Sequence, residues 1–192
     1  AKGTFTKKAG SWRERYHNQV YQRYSGNNHS ANATFLIIKK LTSLEWSICY
    51  SNFQSQNSKY LELLALVDAN CPTFICLTET WLHTGLPDSG VSIPGYCIYR
   101  SDSITTPGHG GVCVFVRDGI KSNFTISSFS EDLPGIDNIF LSVKHQNFSF
   151  ILGCIYRPRP AISDANLCEL IGDLSNQTMN LYITGDFNLH DI

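Results

Sequence analysis

Charge is scarce in this 192-residue sequence: Asp, Glu, Lys and Arg supply 16% of it, and the net charge at pH 7 is −1 with His neutral. Such a balance excludes a uniformly basic coat for nucleic acid. Long hydrophobic runs are lacking too. None approaches the roughly 20 apolar residues of a membrane-spanning helix, and no hydrophobic signal region follows the N-terminal lysines, so neither a membrane partner nor export is expected. The seven cysteines contain no Cys-x-x-Cys pair, which removes the usual spacing of a zinc site. Cys76, Cys113 and Cys154 lie inside apolar runs and read as buried, reduced thiols. Without a signal region, the N-x-[ST] triplets at Asn32, Asn123, Asn147 and Asn176 read as chance matches. Methionine occurs once, at Met179; the chain opens on Ala1 and closes shortly after His190, so both ends read as cuts.

What is present is apolar: 42% of the residues are hydrophobic and 12% of the whole chain is aromatic, enough for the full core of one domain. The charge is unevenly placed. Residues 1–34 hold six Lys/Arg against Glu14 alone, and the remainder carries a net charge of −6. The head therefore reads as a basic polar arm and residues 35–192 as an acidic body. Trp12, Tyr16, Val20 and Tyr24 recur every fourth residue, a spacing that predicts one stripe of a helix. Arginines interleaved with these aromatics fit a nucleic-acid-binding arm. The following Gly26-Asn27-Asn28 and the shortage of other apolar residues favour a solvated, poorly ordered leader.

From Phe35 the texture changes. Ile48 to Tyr50 predicts a short strand ending at Asn52. Tyr60, Leu63, Leu64 and Val67 have helical spacing over about Lys59–Ala69, and Cys71-Pro72 breaks the helix. Phe74–Leu77 reads as a buried strand running into Glu79. Pro87, Gly90, Pro94 and Gly95 mark a loop. Strands are expected at Cys97–Arg100, Val112–Arg117, Phe124–Ser127, Ile139–Lys144 and Phe148–Tyr156, with tight turns at Asp118-Gly119 and Gln146-Asn147. Ser163 and Asp164 are placed to start a helix carrying Leu167, Leu170, Ile171 and Leu174. Leu181–Thr184 reads as a last buried strand entering Gly185-Asp186. The order β-α-β, several hairpin-like strands, then α-β predicts an α/β fold with sheets packed face to face and helices outside.

Polar residues gather at the carboxyl ends of the expected buried strands: Asn52, Glu79, Tyr156 with Arg157, and Asp186 with Asn188. Strand ends of this kind are where α/β sheets hold ligands. Taken singly, each has a structural reading as turn residue, surface acid or loop cap. Taken together, two carboxylates and two amides are hard oxygen donors suited to Mg²⁺. A tyrosine hydroxyl adds a donor toward a phosphate oxygen. Phosphodiester hydrolysis needs these elements: neutralised charge, a positioned water and donors toward developing negative charge.

Five blocks, in order, make the pattern specific: Thr78-Glu79-Thr80-Trp81-Leu82; Ile93-Pro94-Gly95-Tyr96 with Tyr99-Arg100; Gly110-Gly111-Val112; Ile155-Tyr156-Arg157-Pro158; and Gly185-Asp186-Phe187-Asn188. From about Ile48 to Asn188 the chain resembles the endonuclease/exonuclease/phosphatase superfamily, in particular the apurinic-type endonuclease domain of non-LTR retrotransposons. The resemblance implies a four-layer α/β sandwich, deoxyribonuclease-I-like, with the site at one edge of its two central sheets. It implies Mg²⁺, for which Mn²⁺ can substitute, and DNA as substrate, with a reverse transcriptase domain on the same polyprotein and access to the nucleus. By position, Glu79 matches the metal ligand and Asn52 the asparagine that helps hold metal and phosphate. Tyr156 matches the phosphate-facing tyrosine, Asp186 the aspartate that orients or deprotonates the attacking water, and Asn188 the asparagine that fixes the scissile phosphate. Arg157 and Arg100 match substrate-binding positions, each with a structural alternative as partner of an acid.

The chain departs from the family pattern in three places. Members of the family close with further strands and a Ser-Asp-His block, and the sequence in hand stops before one; His190 and Asp191 follow the Asn188 motif directly. Ser101-Asp102-Ser103 stands where a second basic residue is common, and His109 where glycine is common. The expected activity is thus Mg²⁺-dependent nicking of DNA, weak or absent in 192 residues by themselves. The alternatives are a truncated retroelement fragment without turnover and, further off, a phosphatase acting on small phosphate esters.

Overall fold

The computed structural model describes the backbone of residues 20–24 and 35–39 and, from Trp46 onward, residues 46–54, 56–104, 108–145, 148–158, 164–178 and 180–188. The first sheet takes six strands: β1 (Val20–Tyr24), β2 (Phe35–Lys39), β3 (Ser47–Asn52), β4 (Phe74–Thr78), β5 (Tyr96–Ser101) and β6 (Val112–Arg117), in the order β1-β2-β3-β4-β6-β5. The second takes β7 (Thr125–Phe129), β8 (Asp137–His145), β9 (Phe148–Tyr156) and β10 (Leu181–Asp186), in the order β10-β9-β8-β7. Helix α1 (Gln56–Asn70) links the parallel pair β3 and β4. Helix α3 (Asp164–Gln177) links the parallel pair β9 and β10. Each sheet therefore contains one β-α-β crossover, the unit that parallel pairing requires.

Three apolar layers hold the sandwich together. Between the sheets, Ile48, Phe74, Cys76, Val112, Val114 and Val116 meet Ile139, Leu141, Val143, Phe150, Leu152 and Cys154. These alternate along their strands, as a pleated sheet demands. The opposite face of the first sheet (Cys49, Ile75, Leu77, Cys113, Phe115) packs on Leu63, Leu66 and Val67 of α1. The outer face of the second (Phe140, Ile151, Ile155) packs on Leu167 and Leu174 of α3. The result is helix, sheet, sheet, helix: the four-layer α/β sandwich. Trp46, Phe74, Phe124, Phe148 and Phe150 fill the end of the inter-sheet core near the start of β3, β4 and β9, with ring centroids 5.0–6.3 Å apart. The cysteines are free, and Cys49, Cys76, Cys113 and Cys154 are buried; burial drives their thiols far from ionisation where a shift is resolved (Cys49, Cys113 and Cys154).

Some expectations change. Val20 and Tyr24 lie on a strand, not a helical stripe, because the backbone of β1 is taken up by antiparallel pairing with the apolar β2; Trp12 and Tyr16 lie outside the described residues. One strand of the first sheet thus comes from within residues 1–34. The Asp118-Gly119 turn is the start of a one-turn helix, α2 (Asp118–Lys121). The loop before β5 contains a 3-10 turn at Asp88–Val91. The seventh strand is Thr125–Phe129 rather than Phe124–Ser127. Strand β10 is half-buried rather than buried, since it lies at the edge of its sheet among the described residues. Ser163, the Gln146-Asn147 turn, His190 and Asp191 lie outside the described residues.

Helix α1 shows how local sequence places the site. It closes on Cys71, whose φ of +44° is left-handed and whose N–H donates to Val67 O at 2.8 Å. Pro72 then forbids continuation. The chain turns directly into β4, in register with β3 so that Asn52 pairs with Thr78.

Candidate active site

The carboxyl ends of the two crossovers meet. Asn52 is the last residue of β3, and its Nδ2 donates to Glu79 Oε1 at 3.0 Å and to Asp186 Oδ2 at 2.7 Å. Glu79 follows β4 in the first sheet, whereas Asp186 ends β10 in the second. One amide therefore holds two carboxylates brought from separate sheets. The backbone turns sharply to aim them: Glu79 at φ +52°, Trp81 at +55° and Asn188 at +47° are all left-handed. Such conformations cost about 1–3 kcal/mol each and persist only when their surroundings enforce them. Here Thr80 N–H donates to Gly111 O (3.3 Å) and Trp81 N–H to Gly110 O (2.9 Å). Asn188 N–H donates to Asp186 Oδ1 (3.2 Å), and its Nδ2 to Arg157 O (2.8 Å). Gly185, directly before Asp186, leaves no room for a Cβ against the Ile155 carbonyl, which lets β10 lie close to β9 at this edge.

Tyr156 ends β9 opposite Asp186, and its hydroxyl hydrogen-bonds Glu79. Burial first, then the charge and hydrogen bond of Glu79 and the charges of Asp186 and Asp137, push the Tyr156 pKa up to about 12. The phenol is thereby held neutral, as a donor. Tyr50 stands behind it: its hydroxyl shares a hydrogen bond with Thr78 Oγ1 at 3.2 Å, and burial, with the charge of Asp186 among lesser causes, raises its pKa.

The donor set fits a hard divalent cation. The two carboxylates make no ion pair with Lys, Arg or His among the described residues; the ion pairs there belong to Arg100. Asn52 Oδ1 is buried and without a hydrogen-bond partner among them, a costly state for an amide oxygen. Two carboxylates and an unfilled carbonyl oxygen are hard oxygen donors, the kind a divalent cation takes together with water.

The structure thus brings together Asn52, Glu79, Tyr156 and Asp186, with Asn188 tied to the same edge by its backbone. Arg100 bonds to none of them. The five N–H donors of that guanidinium go to Asp102 (2.9 and 2.6 Å), Asp88 (3.1 Å), Leu86 O (2.9 Å) and His83 O (2.7 Å). This is the structural alternative, a clamp on the loop after Glu79, with no donor left for a phosphate. Arg157 Nη1 donates to Phe187 O at 3.0 Å, beside the site. His109 is exposed and packs its ring edge-on to Trp81, centroids 5.0 Å apart.

Sequence reasoning missed Asp137. It opens β8 and pairs with Tyr156, so Asp137, Tyr156 and Asp186 form one row across three strands. The signal was available: once His145 is set opposite Phe148, the antiparallel register of β8 and β9 puts Asp137 opposite Tyr156.

The chain belongs to the endonuclease/exonuclease/phosphatase family, whose sequence profile matches residues 49–191. No curated protein sequence matches it significantly. Among solved structures, it is similar to the endonuclease domain of TRAS1, a telomere-specific non-LTR retrotransposon: TM-score 0.54, 13% identity, 76% of this chain and 62% of that one. It is also similar to D. rerio TDP2 complexed with a single-strand DNA product (TM-score 0.55, 15% identity, 76% and 62%). A third is the 3′ phosphatase NExo from Neisseria bound to a product DNA hairpin (TM-score 0.52, 17% identity, 74% and 57%). At these identities the likeness is one of fold, and the chain spans 57–62% of the length of those proteins. Family and fold together set hydrolysis of phosphate esters as the chemistry of the class.

Proposed function

We propose that this chain is a Mg²⁺-dependent endonuclease domain of a non-LTR retrotransposon that nicks DNA. One observation carries the reading: the Asn52 amide nitrogen holds Glu79 and Asp186, from different sheets, while the oxygen of the same amide is buried and lacks a partner among the described residues. The Glu-Thr-Trp-Leu and Tyr-Arg-Pro blocks, together with the likeness in fold to the TRAS1 domain, support the retroelement assignment over a small-ester phosphatase.

Glu79 and Asn52 Oδ1 would hold the cation. Bound there, it would supply neutralisation of the charge that develops on the phosphate ester. The chain's own residues do the rest. The Asp186 carboxylate would accept the proton of the attacking water: Asn52 and Asn188 N–H hold its two oxygens in place, and each oxygen has a further lone pair. Tyr156, kept protonated, would turn its one O–H from Glu79 to a non-bridging phosphate oxygen once the cation engages Glu79. Asn188, bent back by its left-handed backbone, fixes the phosphate from the other side. The shared Asn52 bond keeps both carboxylates in place before substrate arrives, and this preorganisation lowers the barrier.

The test is conversion of supercoiled plasmid to open circle with protein in excess, in Mg²⁺ and in EDTA, with Glu79→Ala and Asp186→Ala as controls. Mg²⁺-dependent nicking lost in both variants is the expected result. Nicking that persists unchanged in both overturns the assignment. Turnover of a soluble phosphate ester with indifference to plasmid would favour the phosphatase instead.

A further inference from the structure

The two halves of the site belong to different sheets, so their separation depends on what ties the sheets together at that edge. We propose that Asp137 is a positioning residue that brackets the Gly110-Gly111 turn of the first sheet to the Tyr156 strand of the second, and so sets where Glu79 stands relative to Asp186. The proposal deepens the reading above and rests on it for the identity of the metal site.

Asp137 starts β8 at the edge where Tyr156 ends β9. Its Oδ2 accepts the backbone N–H of Gly111 at 2.8 Å, and its carboxylate also hydrogen-bonds Ser103. The chain of bonds then continues within the first sheet. Gly111 O accepts from Thr80 N–H, and Gly110 O from Trp81 N–H. Glu79 immediately precedes Thr80 and has a left-handed backbone, so the segment that Asp137 anchors dictates the direction of the Glu79 side chain.

The fit leaves no slack. A Cβ on Gly110 would lie 2.5 Å from Asp137 Oδ2, and one on Gly111 would lie 2.8 Å from Thr80 Oγ1. Both glycines have left-handed φ, +70° and +78°, so the Gly-Gly pair is what allows the carboxylate to approach the backbone so closely. The role is geometric. An asparagine would keep it, because its Oδ1 accepts from Gly111 and its Nδ2 donates to Ser103.

The experiment compares wild type, Asp137→Asn, Asp137→Ala and Gly110→Ala by amide hydrogen exchange and by Mn²⁺ affinity, read by electron paramagnetic resonance. In Asp137→Ala the amides of Gly111, Thr80 and Trp81 are expected to exchange about 10-fold faster or more, with those of Phe140 and Leu152 unchanged. Mn²⁺ affinity is expected to fall about 10-fold, as when an outer partner of a metal ligand is removed. Asp137→Asn retains both properties. Gly110→Ala, whose methyl displaces the carboxylate, reproduces the alanine result and stands in for it should Asp137→Ala not fold. Unchanged exchange at Gly111 and Thr80, faster exchange at every amide alike, or unaltered Mn²⁺ affinity despite faster local exchange would each overturn the proposal. A wild-type chain that binds no Mn²⁺ overturns the reading of the metal site, and amide exchange then decides the bracket by itself.

Discussion

Two clusters of charge, one around Arg100 and one around Asn52, are satisfied in opposite ways. Around Arg100, one guanidinium meets Asp102 and Asp88 and two backbone carbonyls, and the Arg100 and Asp102 side chains are only 13% and 12% exposed. Every donor has an acceptor. Around Asn52, Glu79 and Asp186 share one neutral amide, and the amide oxygen has no partner among the described residues. The first arrangement stabilises a loop. The second keeps like charges close, an arrangement that the proposed cation would relieve. Charge that is complete within the chain is architecture; charge left incomplete is the ground for proposing the site.

The largest expected effect separates the clusters by function. Glu79→Ala and Asp186→Ala should each reduce nicking by about 10³-fold or more, the several kcal/mol that metal and oriented water contribute. Plasmid relaxation kinetics measure it, and residual activity within tenfold of wild type would erase the distinction. Next, Arg100→Ala should destabilise the fold by about 1–3 kcal/mol, because it strands the half-buried Asp102 carboxylate and two backbone carbonyls. Lysine should not restore it, since it lacks the planar fork. Urea unfolding checks both, and Mn²⁺ affinity of the folded Arg100→Lys protein should stay within about twofold, as expected of an Arg that spends no donor on the metal site.

The opposite sign is expected at the other cluster. Glu79→Gln or Asp186→Asn should stabilise the metal-free chain by about 1 kcal/mol through relief of like-charge repulsion. Mg²⁺ should raise the melting temperature of wild type by mass action and leave that of the variants nearly unmoved. A fall in metal-free stability in both variants would place the Asn52 cluster in the same category as Arg100.

The smallest effect concerns Tyr156. Its folded pKa lies above the ordinary 10.0, so its contribution to stability is complete below pH 10 and is lost as pH rises through about 12. NMR of ring-labelled tyrosine should show a midpoint near 12 for this residue, moving down in Glu79→Gln as one of its causes is removed.

Much of the fold was legible. The crossover β3-α1-β4 announced itself through the buried run Phe74–Leu77, the helical spacing of Leu63 and Val67, and the stop at Cys71-Pro72. The buried thiols Cys76, Cys113 and Cys154 followed from apolar context alone. The errors arose where spacing competed with pairing. Val20 and Tyr24 fit a helical period, yet β2 offered their backbone a partner strand. Arg100 fitted a substrate position by its motif, and only coordinates showed its five donors already engaged. Asp137 was overlooked because an acid at the head of an apolar strand looks like a boundary residue until the hairpin register is drawn.

The sequence by itself determined the identities and order of the candidate site residues and the class of chemistry they suit, because alternation, helical period and turn residues place each at or just past a strand end. Only the tertiary structure decided that Asn52 holds Glu79 and Asp186 together, that Asp137 stands over the Gly110-Gly111 turn, and that Arg100 is spent on a loop. Those contacts join residues far apart in the chain and on different sheets, and their separation is set by how the two sheets pack, which no local pattern encodes.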